Sequence, residues 1–272
     1  MQHDPPAPAI VTLTTDFGTQ DPYVGSMKGV MLSIEPRLTI VDISHELPPH
    51  QVLPAALLLR EACPRFPEST VHVAVVDPGV GGNRRPLLLR AGDRFYLGPD
   101  NGLFSFLVRD FGLQGAWRLA NPEYFLPAVS RTFHGRDIFA PAAAHLARGA
   151  PPPSFGPQIE DPVLIAMPAA RTTQESLQGV VIWIDRFGNC LTNLSEELVS
   201  NWARGAPVLV HAASKRIGAI SDCYDAAAAG EPLALFGSTG LLEIACNQAR
   251  ADRTLGLREG GPVTVWKERK QD

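Results

Sequence analysis

No stretch of the chain reaches the roughly 18 consecutive apolar residues that a membrane-spanning helix needs, so no span and no membrane partner is expected. The first residues, Met1-Gln2-His3-Asp4-Pro5-Pro6, hold no basic stretch followed by an apolar core, and no secretory signal is expected. Cysteine is scarce. Cys63, Cys190, Cys223 and Cys246 stand far apart with no Cys-x-x-Cys pair, which argues against a zinc site or a disulfide framework. Buried free thiols in a reducing cytoplasm are the expectation. Positive charge is not in excess: 24 Lys and Arg stand against 28 Asp and Glu, a formal balance of −4, so a general nucleic-acid binder is not expected. No metal-ligand cluster and no internal repeat is visible.

What is present is enough apolar material for a sizeable core, 45% of 272 residues, with 19% charged. The length suits one large domain or two ordinary ones. Proline (25) and glycine (24) are abundant, which calls for many turns or for a linker.

Residues 9–15 form an apolar, β-branched run ending at Asp16-Phe17-Gly18, read as a buried strand and a turn. Residues 38–43 and 70–76 are strand-like in the same way. Between them, 23–34 and 52–62 carry apolar residues at helical spacing. This alternation predicts an α/β fold with a mostly parallel sheet covered by helices. Residues 86–90 and 94–97 read as a hairpin, 103–111 as a helix capped near Asp100 or Asn101, and 137–148 as a second capped helix.

The composition then changes. Pro151, Pro152, Pro153 and Pro157 exclude a helix or a central strand. Residues 1–150 are therefore expected to form the α/β domain and 151–175 a proline-rich connecting segment. Short strands at 179–184, 207–211, 215–220, 233–236, 241–245 and 263–267 predict a smaller antiparallel β domain over 176–272.

Several stretches admit two meanings. Asp16, at the C-terminal end of the first strand, is either a turn residue or a contact where open α/β sheets bind ligands. Val75-Val76-Asp77-Pro78-Gly79-Val80-Gly81-Gly82-Asn83-Arg84-Arg85 ends a strand on a carboxylate and returns two arginines; it lacks the Gly-x-Gly-x-x-Gly and P-loop patterns. It is a functional loop or a flexible connection. His134, in Phe133-His134-Gly135-Arg136-Asp137, is structural or else a neutral proton acceptor before a helix N-terminus, whose dipole disfavours the imidazolium. His3, His72, His145 and His211 are expected to be structural or exposed. Asp185-Arg186-Phe187-Gly188-Asn189 is a hairpin turn or a polar tip built on Asp185 and Asn189, and 237–243 has the same ambiguity.

Taken together, these stretches resemble one family, the S-adenosylmethionine hydroxide adenosyltransferases, relatives of the fluorinating and chlorinating adenosyl enzymes. The pieces that match are Thr14-Thr15-Asp16-Phe17-Gly18, Asp42-Ile43-Ser44-His45-Glu46, Val76-Asp77-Pro78-Gly79-Val80-Gly81, Gly98-Pro99-Asp100-Asn101-Gly102, His134-Gly135-Arg136-Asp137, Asp185-x-Phe187-Gly188-Asn189 and Ser238-x-Gly240-x-x-Glu243. They run in order over nearly the whole chain. The resemblance implies S-adenosylmethionine plus water giving adenosine and methionine, without a cofactor or metal. It also implies a homotrimer with sites at subunit interfaces. It carries Asp77, Arg84 and His134 over as the catalytic set and Asp16 as the ribose-binding carboxylate. Asp185, Asn189, Ser238 and Glu243 match contacts to the adenosyl or methionine portions, with Phe187 as an apolar contact nearby.

The halide-using relatives have an aromatic hydroxyl residue where His134 stands and lack the Asp-Pro-Gly-Val-Gly loop; the fluorinating type also has a serine in place of Gly135. The sequence therefore sides with water. His50 occupies the place of a ligand-covering aromatic of the fluorinating type. A chlorinase-like transferase and a nucleoside-binding protein with negligible turnover are the alternatives.

Overall fold

The computed structural model describes residues 9–268. His3 and the N-terminal segment read for a targeting signal lie outside the described residues. The chain divides into two compact units at Ala166/Met167.

The first unit holds a six-stranded sheet of β1 (Ile10–Thr15), β2 (Thr39–Ser44), β3 (Val71–Val75), β4 (Pro86–Ala91), β5 (Arg94–Pro99) and β6 (Leu113–Arg118). The spatial order is β2-β1-β3-β5-β4-β6. The first four of these pair in parallel, and β4 and β6 complete the sheet antiparallel. Strands β1 and β3 are β-branched runs buried on both faces, as central parallel strands require. Their side chains alternate between two cores. Val11, Leu13 and Val73 face helices α1 (Tyr23–Ile34) and α4 (Ala140–Ala147) through Met27, Met31 and Ala143. Ala74, with Leu87, Leu89 and Tyr96, packs with Ala55 and Leu59 of α2 (Val52–Ala62) and Leu107 of α3 (Ser105–Phe111).

The chain leaves β1 for β2 on one side and returns as β3 on the other. The carboxyl ends of β1 and β3 thus flank a topological switch point, the place where open α/β sheets leave a crevice. Asp16 follows β1 directly and Asp77 follows β3 by two residues.

The second unit is a largely antiparallel sheet of β7 (Arg171–Thr172), β8 (Ser176–Ile184), β9 (Cys190–Ser195), β10 (Val208–Ala212), β11 (Lys215–Gly218), β12 (Ile220–Ser221), β13 (Pro232–Phe236), β14 (Leu241–Cys246) and β15 (Pro262–Lys267). The order is β11-β10-β15-β8-β9-β14-β13-β12, with β7 beside β8. One residue separates the two terminal strands: β11 pairs with β10 while β12 pairs with β13, so the sheet closes on itself into a barrel. Leu177, Val181, Leu194, Val210, Leu242, Ile244, Val263 and Val265 fill its core.

Several elements depart from the sequence-based expectation. The strand predicted over 215–220 is broken at Gly218, where φ is +118° and the chain passes from β11 to β12. The helix predicted over 137–148 opens as a π-helical turn, Gly135–Phe139, before α4, and Asp137 is a fully buried carboxylate rather than a cap. Helix α3 begins at Ser105, after Asp100 and Asn101 have been drawn into strand-end contacts. Strand β6 and the helices α5 (Glu196–Ala203) and α6 (Ala251–Leu255) were not foreseen. In the proline-rich segment, Pro152–Phe155 forms a 3-10 turn whose Phe155 joins the first core. The four cysteines are free thiols; Cys63, Cys190 and Cys246 are buried and Cys223 is exposed. No helix among the described residues is long and apolar enough to cross a membrane.

Candidate active site

The switch point opens into a cavity of about 300 Å³, within the range of small-ligand sites. Its walls come from the two strand ends (Asp16, Val75, Asp77), from His50, and from the segment that enters the π-helical turn (Phe133, His134). Residues expected from three separate stretches of sequence therefore share one hollow.

Arg84 returns from the glycine-containing loop to face Asp77. Its Nε lies 3.0 Å from both carboxylate oxygens, and its Nη2 also donates to Oδ2. The same Nη2 lies 2.6 Å from His134 Nδ1. A guanidinium has no acceptor, so Nδ1 must accept and the neutral ring carries its hydrogen on Nε2. Asp77 and Arg84 side chains are 5% and 10% exposed, so the pair is desolvated and held from both ends. Burial, and then the Arg84 charge, hold the His134 pKa below its ordinary value against the pull of Asp77 and Asp137.

Glycine is required at one place around this group and leaves little spare room at a second. Gly81 has φ +75°, and a Cβ there would lie 2.2 Å from the Arg131 carbonyl oxygen, so the loop carrying Arg84 packs backbone to backbone on the segment leading to His134. At Gly135 a Cβ would meet Met27 Sδ at 3.2 Å and the Phe133 ring at 3.3 Å. A side chain at that position crowds the cavity wall.

Asp16 is fixed by the backbone N–H of His50, which donates to Oδ2 at 2.8 Å. His50 holds φ +67°, a left-handed conformation that costs a non-glycine residue about 1 kcal/mol. Strain of this kind persists where the surroundings over-determine it, and here it aims an N–H at a carboxylate.

The second unit collects the remaining expected residues. Asp185, at the end of β8, accepts from the Asn189 backbone N–H at 2.9 Å and from Asn189 Nδ2 at 3.1 Å, which closes the β8–β9 turn. Phe187, at its tip, is 75% exposed. Glu243, on β14, is buried, and its Oε2 fills the space that a side chain at Gly237 would need. Burial raises the Glu243 pKa; a hydrogen bond from Tyr224 opposes this and the Asp185 charge adds to it. Ser238 is exposed in the tight turn 237–240 between β13 and β14.

Sequence reasoning missed two groups here. Tyr224 Oη donates to Glu243 Oε1 at 2.7 Å, and Thr239 presents a buried hydroxyl with no protein partner among the described residues. Tyr224 lies in an irregular alanine-rich stretch with no local pattern to mark it.

A desolvated cation pinned between a carboxylate and a neutral imidazole, both of which line one small cavity with a strand-end carboxylate, defines an α/β enzyme site for a small polar ligand. The profile of the SAM hydroxide adenosyltransferase N-terminal domain matches residues 11–156, and that of the family's C-terminal domain matches residues 179–264. The chain belongs to this family. It is 41% identical to an (R)-S-adenosyl-L-methionine hydrolase of Thermus thermophilus over 262 residues, covering 94% of this chain and 98% of the relative. It is 38% identical to the enzyme of that name from Salinispora tropica, covering 94% and 97%. A fluorinase of an Actinoplanes species is more distant, at 29% identity. An uncharacterized conserved protein from Thermotoga maritima, solved by crystallography, superposes with a TM-score of 0.87 at 34% identity, covering 95% of this chain and all of that one.

Proposed function

We propose that the protein hydrolyses S-adenosyl-L-methionine to adenosine and L-methionine, by attack of water on the 5′ carbon of the adenosyl group. The observation that carries this is the Asp77–Arg84–His134 cluster at the mouth of β1 and β3. The hydrolase names of its relatives agree with it, and those names also point to the (R) epimer at sulfur.

The chemistry suits these groups. As the oxygen–C5′ bond forms, the C5′–S bond breaks and its electron pair stays on sulfur, so methionine leaves as a neutral thioether and needs no general acid. The difficulty is the nucleophile, because water has a pKa of about 15.7 and hydroxide is scarce at neutral pH. Arg84 keeps its charge at any physiological pH, and a fixed cation stabilises the developing hydroxide. Asp77 and His134 hold that cation in place and are the two acceptors the cluster offers for the proton that water loses. Hydroxide and sulfonium combine into neutral products, so a dry cavity strengthens the attraction that drives them together.

In this reading Asp16 takes the ribose hydroxyls. Asp185, Asn189, Ser238 and Glu243, with Phe187 beside them, take the adenosyl and methionine portions. The protein acts as a cytoplasmic homotrimer in which neighbouring subunits complete each site, with no metal or cofactor. A sedimentation measurement tests the trimer, and retention of turnover after chelator dialysis tests the last point.

The reaction is tested with the (R) epimer in heavy-oxygen water. Label is expected in the 5′ hydroxyl of adenosine. A 5′-chloro product in the presence of chloride would point to the transferase instead, and bound adenosine without methionine release would point to a binding protein.

A further inference from the structure

One polar chain of the first unit is not used by this reading. Asp42 and His45 lie at the end of β2, the strand next to β1. The pairing of β1 with β2 slips there: Leu13 opposes Asp42 but Thr14 opposes Ser44, so Ile43 is bulged. Bulges of this kind re-aim the side chains that follow. Beyond it, the buried His45 ring places Nδ1 2.8 Å from the hydroxyl of Thr15, which is itself fully buried. Thr15 Oγ1 also accepts the Phe17 backbone N–H at 3.2 Å, and the Gly18 N–H donates to the His45 carbonyl at 2.8 Å. His45 therefore grips both sides of Asp16, through ring and backbone.

The polarity of the chain follows. With Thr15 Oγ1 accepting from Phe17, its own hydrogen is free for His45 Nδ1, and the ring hydrogen falls to Nε2. That nitrogen stands 3.1 Å from Asp42 Oδ1, with its hydrogen toward the carboxylate but not well aligned on it. Asp42 Oδ2 is in turn held by Lys28 Nζ at 2.5 Å. A surface ion pair thus anchors a buried ring that fixes the turn presenting a ligand-facing carboxylate.

We propose that His45 is a positioning residue for Asp16, with Thr15 as its link and the Asp42–Lys28 pair as its anchor, and that it sets the preference of the site for a ribose over a 2′-deoxyribose. The inference rests on the adenosyl reading of the cavity, in which Asp16 receives the ribose hydroxyls. His45 touches no reacting atom. Its effect falls on ligand selection and not on the Arg84 cluster.

The test is calorimetric titration of the whole protein with adenosine and with 2′-deoxyadenosine. The unmodified protein is expected to prefer adenosine. His45→Ala and Thr15→Val should each lose about tenfold of that preference, the usual size of a lost hydrogen bond to a charged group. His45→Asn, whose amide can still meet the Thr15 hydroxyl, should recover part of it, and kcat should change far less than KM. Thr15→Val keeps the side-chain shape, so it decides the matter if His45→Ala does not fold. Variants that keep the full preference, or that weaken both ligands equally, overturn the inference. An unmodified protein that binds both ligands alike also overturns it, while leaving the hydrolase reading intact. If the unmodified protein binds neither nucleoside and releases no methionine, the adenosyl reading itself falls.

Discussion

Arg84 Nη2 sits 2.6 Å from His134 Nδ1, and the guanidinium reaches Asp77 with the same edge. The imidazole is thereby an acceptor in the resting site. Lysine at position 84 would keep the charge but offers a single ammonium in place of a planar fork. Arg84→Lys should lower kcat about a hundredfold, the usual size of losing one transition-state donor, with a much smaller change in KM. Steady-state kinetics with both substrate epimers would measure this, and kcat near the unmodified value would refute the role given to the fork.

The same contact sets a pH dependence. Protonation of His134 would place a hydrogen on Nδ1 against Arg84, so the cluster requires the neutral ring. The His134 pKa is lowered from its ordinary 6.5, first by burial and then by Arg84. A folded pKa below the unfolded one means that the site keeps its integrity above 6.5 and loses it as pH falls through the lowered value. The pH profile of kcat/KM should thus be flat through neutrality and fall only on the acid side of 6.5. His134→Asn should remove that acid limb; its persistence would assign the limb to another group.

Gly81 offers a test away from any reacting group. Gly81→Ala meets the Arg131 carbonyl and a φ of +75°. Strain alone costs about 1 kcal/mol, and relief of the clash moves the loop that carries Arg84. Turnover should drop about tenfold or more for a loss of that order in stability. Paired thermal melts and kinetics would show whether the two losses are unequal, as expected.

In the second unit, Tyr224→Phe removes the hydrogen bond to Glu243 Oε1 and leaves a buried, already raised carboxyl group without its donor. Bonds to charged groups are worth about 1.5–3 kcal/mol, so KM should rise about tenfold or more while kcat holds. A change in kcat with KM unaltered would contradict the placement of Glu243 among the binding groups.

The strand-end carboxylates were legible because β-branched runs buried on both faces announce themselves, and a parallel sheet fixes where their ends point. The prolines at 151–157 pointed to a join, yet they fold with the first unit, which runs on to Ala166; family resemblance grouped Asp77, Arg84 and His134 without any geometry. Tyr224 was not legible. The pairing of β13 with β14, and not any local pattern, brings it to Glu243. His45 was visible as part of a motif but without a role, because its bond to Thr15 spans thirty residues and depends on the bulge in the β1–β2 ladder. The π-helical turn at Gly135 escaped for a similar reason: a capped helix and a π turn share the same periodic signal over so few residues.

The barrel of the second unit closes through β12, which holds only two residues against β13. A seam that short is the least stable part of the wall, so the barrel opens there first, and amide exchange should be fastest along it. The stretch that carries Tyr224 begins three residues after β12. Opening the seam therefore frees the tyrosine that holds Glu243, and a ligand that engaged Glu243 would act as a clasp on the barrel, adding stability that grows with the logarithm of its concentration above Kd.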